Sequence, residues 1–206
     1  MACHYCNFHF STLSNYSELV SSIITEIDAN QKKFKYSDIS TIYFGGGTPS
    51  IIEDYLLHKV LIKINDKFKI NNNCEVTIEA NPDDISFDKL ERWKKIGFNR
   101  ISLGVQSFND TILKKLNRIH TSKQSHNAIK KIKKTFKNFS VDLMFGTPNS
   151  DVESIRKDLD IIKEINPPHI SIYNMTVEKR TVFYKLVKNK KMILPGDDDV
   201  LNQYDI

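Results

Sequence analysis

The sequence predicts an α/β fold built on a parallel sheet, and three observations carry that prediction. Segments of helical periodicity alternate with short strand-like runs along the whole chain. Each helical segment is long enough to cross back over a sheet, as parallel neighbours require. Glycines and polar residues recur at the C-terminal ends of successive strands. That is the edge where an α/β sheet or barrel gathers its ligand-binding loops.

Helical patterns cover 17–34, 53–69, 86–96, 109–117, 122–137 and 151–165. Between them lie the strand-like runs STIYFGG (40–46), EVTIEAN (75–81), RISLGVQ (100–106), FSVDLMFG (139–146) and HISIYNM (169–175). The second helix starts near Ile51–Glu53, where Pro49 stiffens the entry. Ser86-Phe87-Asp88-Lys89 resembles a capped start for the third. Ile129, Ile132 and Phe136 give the fifth an apolar stripe at spacings of three and four. Asp151-Val152-Glu153-Ser154 places a cap before the sixth. The closing DDDVLNQYDI reads as the beginning of another helix. No repeat, linker or low-complexity segment interrupts the series, so 1–206 is expected to be a single domain.

Composition narrows the class. The 206 residues suffice for a substantial core, and 40% hydrophobic with 27% charged residues is the balance of a soluble globular protein. No apolar run reaches bilayer-spanning length, and the start lacks a basic-then-apolar leader pattern. Three cysteines fit a reducing, cytoplasmic setting better than a disulfide framework. The net charge of +5 is concentrated in 113–138. With no interleaved aromatic series to stack on bases, that stretch reads as a solvated helix face rather than a nucleic-acid surface.

The strand ends carry the candidate chemistry. Strand 40–44 runs into Gly45-Gly46-Gly47-Thr48-Pro49. Consecutive glycines let backbone N–H groups approach a ligand closely and adopt positive φ. The pattern is neither a Walker loop nor G-x-G-x-x-G. It suits a carboxylate, an amine-bearing zwitterion or a ribose, with a plain tight turn as the alternative. Glu79 stands where it can accept from an ammonium or a ribose hydroxyl, or serve as an ordinary salt-bridge partner. Gln106, Arg118 and Asp142 can add a second polar wall. Asp142 lies inside the apolar run SVDLMF, where an unpaired carboxylate is expensive.

Cys3-His4-Tyr5-Cys6 is a C-x-x-C motif. A redox dithiol, half of a zinc site and part of an iron–sulfur site all use this spacing. A thioredoxin-like setting, with the motif between a strand and a helix, is missing. His4 and His9 are by default polar loop residues, and Cys74, beside a strand start, reads as a small buried residue.

ACHYCNFHFS, TIYFGGGTPS, VTIEANP, RISLGVQSFND, LNRIH and VDLMFGTP occur in this order across essentially the whole chain. Together they resemble radical S-adenosylmethionine proteins related to oxygen-independent coproporphyrinogen III oxidase, and within that group the heme chaperone HemW family. The resemblance implies a partial parallel (β/α)6 barrel and a [4Fe–4S] cluster held by three cysteines. One iron is then left for the amino and carboxylate groups of S-adenosylmethionine. It implies Cys3 and Cys6 as the second and third cluster ligands. It also implies Tyr5, Gly47, Thr48, Pro49, Glu79, Gln106, Arg118 and Asp142 as positions contacting S-adenosylmethionine. Heme or a porphyrin is the implied cargo, a heme-recipient protein a possible partner, and neither nucleic acid nor a membrane span is expected.

Two departures stand out. The family's first cluster cysteine would lie four residues before Cys3, preceded by the first barrel strand, and the chain starts at Met1. The family's C-terminal domain is also expected to be absent. Two thiolates alone should hold such a cluster poorly, so the sequence reads as a fragment or as a chain with a misassigned start. The related oxidases carry a further cysteine in C-x2-C-x-C, where this chain has Phe8, which favours the chaperone branch over the decarboxylating enzymes. A non-catalytic barrel remnant is the third reading.

Overall fold

The computed structural model describes residues 3–8, 15–34 and 38–206, and His9 lies outside them. Strands β1 (Asp38–Phe44), β2 (Lys69–Ala80), β3 (Arg100–Gln106), β4 (Asn138–Phe145) and β5 (His169–Asn174) form one sheet in chain order. All four pairings are parallel. The sheet curls into a half-barrel with helices on its outside, the predicted fold class.

Helix α1 (Tyr16–Asn30) precedes β1, α2 (Asp54–Lys67) joins β1 to β2, and α3 (Phe87–Ile96) joins β2 to β3. Helices α4 (Asp110–Lys115) and α5 (Ser122–Thr135) connect β3 to β4, and α6 (Val152–Ile165) connects β4 to β5. Helices α7 (Val182–Lys188) and α8 (Asp197–Tyr204) follow.

Helix starts are set by local chemistry. Ser86 accepts from Lys89 N at α3, and Asn109 accepts from Thr111 N and Ile112 N at α4. Thr121 with Gln124, and Asp151 with Ser154, form reciprocal capping boxes at α5 and α6. Gly97 (φ 115) and Asn166 (φ 48) close α3 and α6 in the left-handed conformation.

The strands alternate instead of being apolar throughout, so only one sheet face is packed. Val76, Ile78, Ile101, Leu103, Val141 and Leu143 pack with α3 and α5 residues, among them Trp93, Ile129 and Ile132, in the main core. Burying side chains of this size stabilises by roughly 1.5–3 kcal/mol each. The opposite face is polar on every strand. Register sets Glu79 level with Ser102, Ser102 with Ser140, and Ser140 with His169. One step further along, Gly104, Asp142 and Ser171 share a level. A ring of polar groups therefore lines the inside of the half-barrel and leads to the strand ends.

Four elements differ from the sequence reading. The first helix ends at Asn30 and tightens into a 3-10 turn over Gln31–Phe34. The first strand is Asp38–Phe44, which leaves Gly45 and Gly46 in the following loop. Strand β2 begins at Lys69 rather than 75, because Lys69 and Ile70 pair with Asp38 and Ile39 before a bulge. Helix α7 has no counterpart in the sequence reading; it is seven residues long, capped by Thr181, with Phe183 as its buried residue.

Candidate functional site

The cysteine turn is seated on the rim by backbone bonds at its centre. His4 N donates to Leu116 O at 3.2 Å, and Phe183 N donates to His4 O at 3.1 Å. Cys6 N donates to Cys3 O at 3.2 Å, which closes the turn and keeps the two thiols on one short loop. Tyr5 packs against the small core of Ile112, Leu116, Met144, Met175 and Phe183, and burial pushes its hydroxyl well above the ordinary tyrosine range. Both thiols are half-buried and free, whereas Cys74 is buried in the main core as expected.

Arg118 binds this turn to the barrel. Its Nη1 donates to Cys3 Sγ at 3.4 Å. Its Nη2 donates to Asn81 Oδ1 at 2.6 Å and to Gly104 O at 2.7 Å. The planar fork of a guanidinium suits this three-way contact. A Cβ on Gly104 would meet Gln106 Nε2 at 3.0 Å and Arg118 Nη2 at 3.5 Å. Gly104 is therefore the gap into which the Gln106 amide folds beside the guanidinium. The Tyr173 hydroxyl donates to Gln106 Oε1 and is pushed up to about 12 by its burial.

The glycine loop is shaped by Glu79. Tyr43 donates its hydroxyl to Glu79 Oε1 at 3.0 Å, and Gly46 N donates to Oε2 at 3.1 Å. A Cβ on Gly45 would stand 2.7 Å from Tyr43 Cε1 and 2.9 Å from Glu79 Oε1, so close approach demands glycine there. Gly47 (φ 58) turns the chain toward Thr48. Pro49 opens a 3-10 turn, and the neighbouring Ser50 donates to Asp84 Oδ2 at 2.6 Å.

Asp142, the charge inside an apolar run, has its carboxylate oxygens paired within the sheet. Ser102 Oγ donates to Asp142 Oδ2 at 3.0 Å and Ser140 Oγ donates to Oδ1 at 3.0 Å. The polar levels of the sheet supply those serines. The structure thus assembles two groups at one strand edge. Cys3, Tyr5, Gln106 and Arg118 form the first, and the glycine loop with Gly47, held through Gly46 N by Glu79 of β2, forms the second. Among the described residues, no hydrogen bond joins Thr48 to either group. Asn81, Tyr43 and Tyr173 hydrogen-bond to Arg118, Glu79 and Gln106 respectively; all three lie in quoted strand runs, but only cross-strand placement brings them to these groups. A separate cavity of about 900 Å³, lined in part by Lys115, Arg156, Lys191 and Leu194, contains none of these residues.

A family profile described as "Radical SAM superfamily" matches residues 1–162. The chain belongs to the radical SAM superfamily. It is 34% identical over 201 residues to the heme chaperone HemW of Buchnera aphidicola subsp. Schizaphis graminum, covering 96% of this chain and 52% of that protein. To HemW of Bacillus subtilis it is 34% identical over 208 residues, 99% of this chain and 55% of that one. The radical SAM enzyme coproporphyrinogen III oxidase of Escherichia coli superposes with a TM-score of 0.84 at 24% identity, over 100% of this chain and 48% of its own. That likeness shows the fold. The chain spans about half the length of the curated relatives it matches.

The donor set fits part of a radical SAM centre. Two thiols on one short turn are soft ligands of the kind that hold iron–sulfur clusters. No third His, Cys, Asp or Glu completes a metal-binding group with them among the described residues.

Proposed function

We propose that the chain is the cofactor-binding barrel of a cytoplasmic heme chaperone of the HemW type, folded as one domain over 1–206. In this reading Cys3 and Cys6 are two of the three thiolate ligands of a [4Fe–4S] cluster. Tyr5, Gly47, Thr48, Pro49, Glu79, Gln106, Arg118 and Asp142 line the place of S-adenosylmethionine. When bound, the cluster supplies one-electron chemistry and an iron open to the ligand's amino and carboxylate groups.

The observation that carries the reading is the Arg118 fork, which ties Cys3 Sγ to Asn81 and to Gly104 on the polar rim. It sets a thiol next to fixed donors and acceptors at the strand ends, the arrangement that a cluster shared with a polar zwitterion requires. The protein's own contribution is positioning. Arg118 orients the thiol and covers one wall, Glu79 holds the glycine loop open, and Asp142 presents a carboxylate braced by two serines. The curated relatives are named heme chaperones, and Phe8 rather than cysteine follows the turn, exposed to solvent. Heme is accordingly the cargo, passed to a recipient protein.

The test uses the full-length protein after anaerobic iron–sulfide reconstitution. Tight heme binding, an S-adenosylmethionine-sensitive cluster signal and no decarboxylated product are expected. Loss of propionate carboxylates from coproporphyrinogen III would overturn the chaperone reading in favour of the oxidase. Absence of a cluster signal would overturn the cofactor assignment itself.

A further inference from the structure

Gln106 carries backbone strain. Its φ is 70, in the left-handed region that favours glycine, and the β3–β4 register slips between Gly104 and Gln106. Such a conformation persists only where its surroundings over-determine it, and such residues gather at ligand clamps.

The flanks of Gln106 are held from two different elements. On one side the His120 Nε2–H donates to Val105 O at 3.1 Å; a carbonyl only accepts, so that nitrogen carries a proton whichever charge the ring bears. Asp83 Oδ1 stands 3.7 Å from the other ring nitrogen. On the far side Asp158 of α6 accepts from Ser107 Oγ at 2.7 Å and from Phe108 N at 2.9 Å. Ser107 Oγ in turn accepts from Asn109 N at 3.0 Å. His120 and Asp158 are 2% and 3% exposed, so neither touches a ligand in the half-barrel. Burying a carboxylate costs free energy unless its bonds are satisfied, and both bonds of Asp158 go to the two residues after Gln106.

We propose that His120 and Asp158 are positioning residues that clamp the bulged end of β3 in the left-handed conformation presenting the Gln106 amide, beside Arg118, to a polar zwitterionic ligand. The ligand half of this inference rests on the S-adenosylmethionine reading above; the clamp does not. Released from either side, the bulge relaxes toward extended backbone, and the Gln106 side chain swings off Gly104.

Two measurements test it. Backbone 13C shifts of Gln106 report its conformation without any ligand. His120→Phe and Ser107→Ala are expected to move them from left-handed toward extended values, and His120→Gln, which keeps a donor, is expected to restore them. Unchanged shifts in folded His120→Phe and Ser107→Ala overturn the clamp. Titration of the full-length, cluster-loaded protein with S-adenosylmethionine supplies the second arm. Asp158→Asn and His120→Phe are each expected to weaken binding at least fivefold, and to have no further effect when Gln106 is already alanine. Equal losses with and without the Gln106 amide overturn the positioning role, since a purely structural residue would act in both backgrounds. If the shifts behave as expected and the parent protein binds no S-adenosylmethionine, the clamp stands and the functional reading falls.

Discussion

Arg118 Nη1 lies 3.4 Å from Cys3 Sγ, joining residues 115 positions apart in the chain. The rest of the guanidinium is committed to Asn81 Oδ1 and Gly104 O. One side chain thus fastens the cysteine turn to β3 and to the loop that leaves β2. Lysine keeps the charge but offers a single nitrogen on a flexible stem. Arg118→Lys is therefore expected to cost roughly 1.5–3 kcal/mol of unfolding free energy, the range for hydrogen bonds to charged groups. It should also abolish cluster retention in the full-length protein. Urea denaturation and the cluster absorbance after gel filtration check the two effects.

The three consecutive glycines are not equivalent. A methyl group on Gly45 would meet Tyr43 and Glu79 closer than ordinary contact, whereas Gly46 and Gly47 face open space. Overpacking of this kind costs about 1–3 kcal/mol. Gly45→Ala is expected to lower the melting temperature and to release the Gly46 amide from Glu79, read as faster hydrogen exchange at that amide. Tyr43→Phe removes only the hydroxyl that donates to Glu79 Oε1 and adds no bulk, so it should leave the Gly46 amide on Oε2 protected.

Much of this site was legible because strand alternation and strand-end chemistry are local properties. The period-2 pattern in EVTIEAN and RISLGVQ marks one polar face, and the GGGTP loop marks a place where backbone must come close. What stayed hidden depends on register between distant segments. Tyr43 meets Glu79 only because β1 and β2 pair as they do, a separation of 36 residues. Asn81 matters through Arg118, 37 residues on. The start of β2 was missed for a related reason. KINNNC reads as a polar loop, and only pairing of Lys69 and Ile70 with β1 makes it strand. The serine bracing of Asp142 follows from the same cross-strand levels, which no single segment encodes.

Stability at acid pH should depend on Asp83. The His120 imidazole beside it holds the Asp83 carboxyl below the usual carboxylate range. A depressed folded value contributes stability that is present above the unfolded value of about 3.9 and is lost as pH falls through the folded value. Asp83→Asn removes that contribution at every pH. The gap in urea midpoint between parent and variant is expected to be largest near neutrality and to close as pH drops below about 4. A gap that widens toward acid would show that the pair acts with the opposite sign.

Asp142 separates holding the fold from holding the ligand. Its two serine partners, Ser102 and Ser140, share one level of the polar face, next to that of Asp142, and the main core lies on the other side of the sheet. Asn at this position keeps an oxygen acceptor and the same volume while removing the charge. The unfolding free energy of Asp142→Asn should therefore change by less than about 1 kcal/mol, within the net worth of an ordinary hydrogen bond. Binding of S-adenosylmethionine to the full-length protein should weaken by about tenfold, equivalent to roughly 1.4 kcal/mol. Calorimetric titration beside a denaturation curve tells the two apart. Unchanged affinity with an intact fold would make the serine-braced carboxylate a structural feature of the barrel wall, and would shift the ligand's polar contacts to Glu79, Gln106 and Arg118.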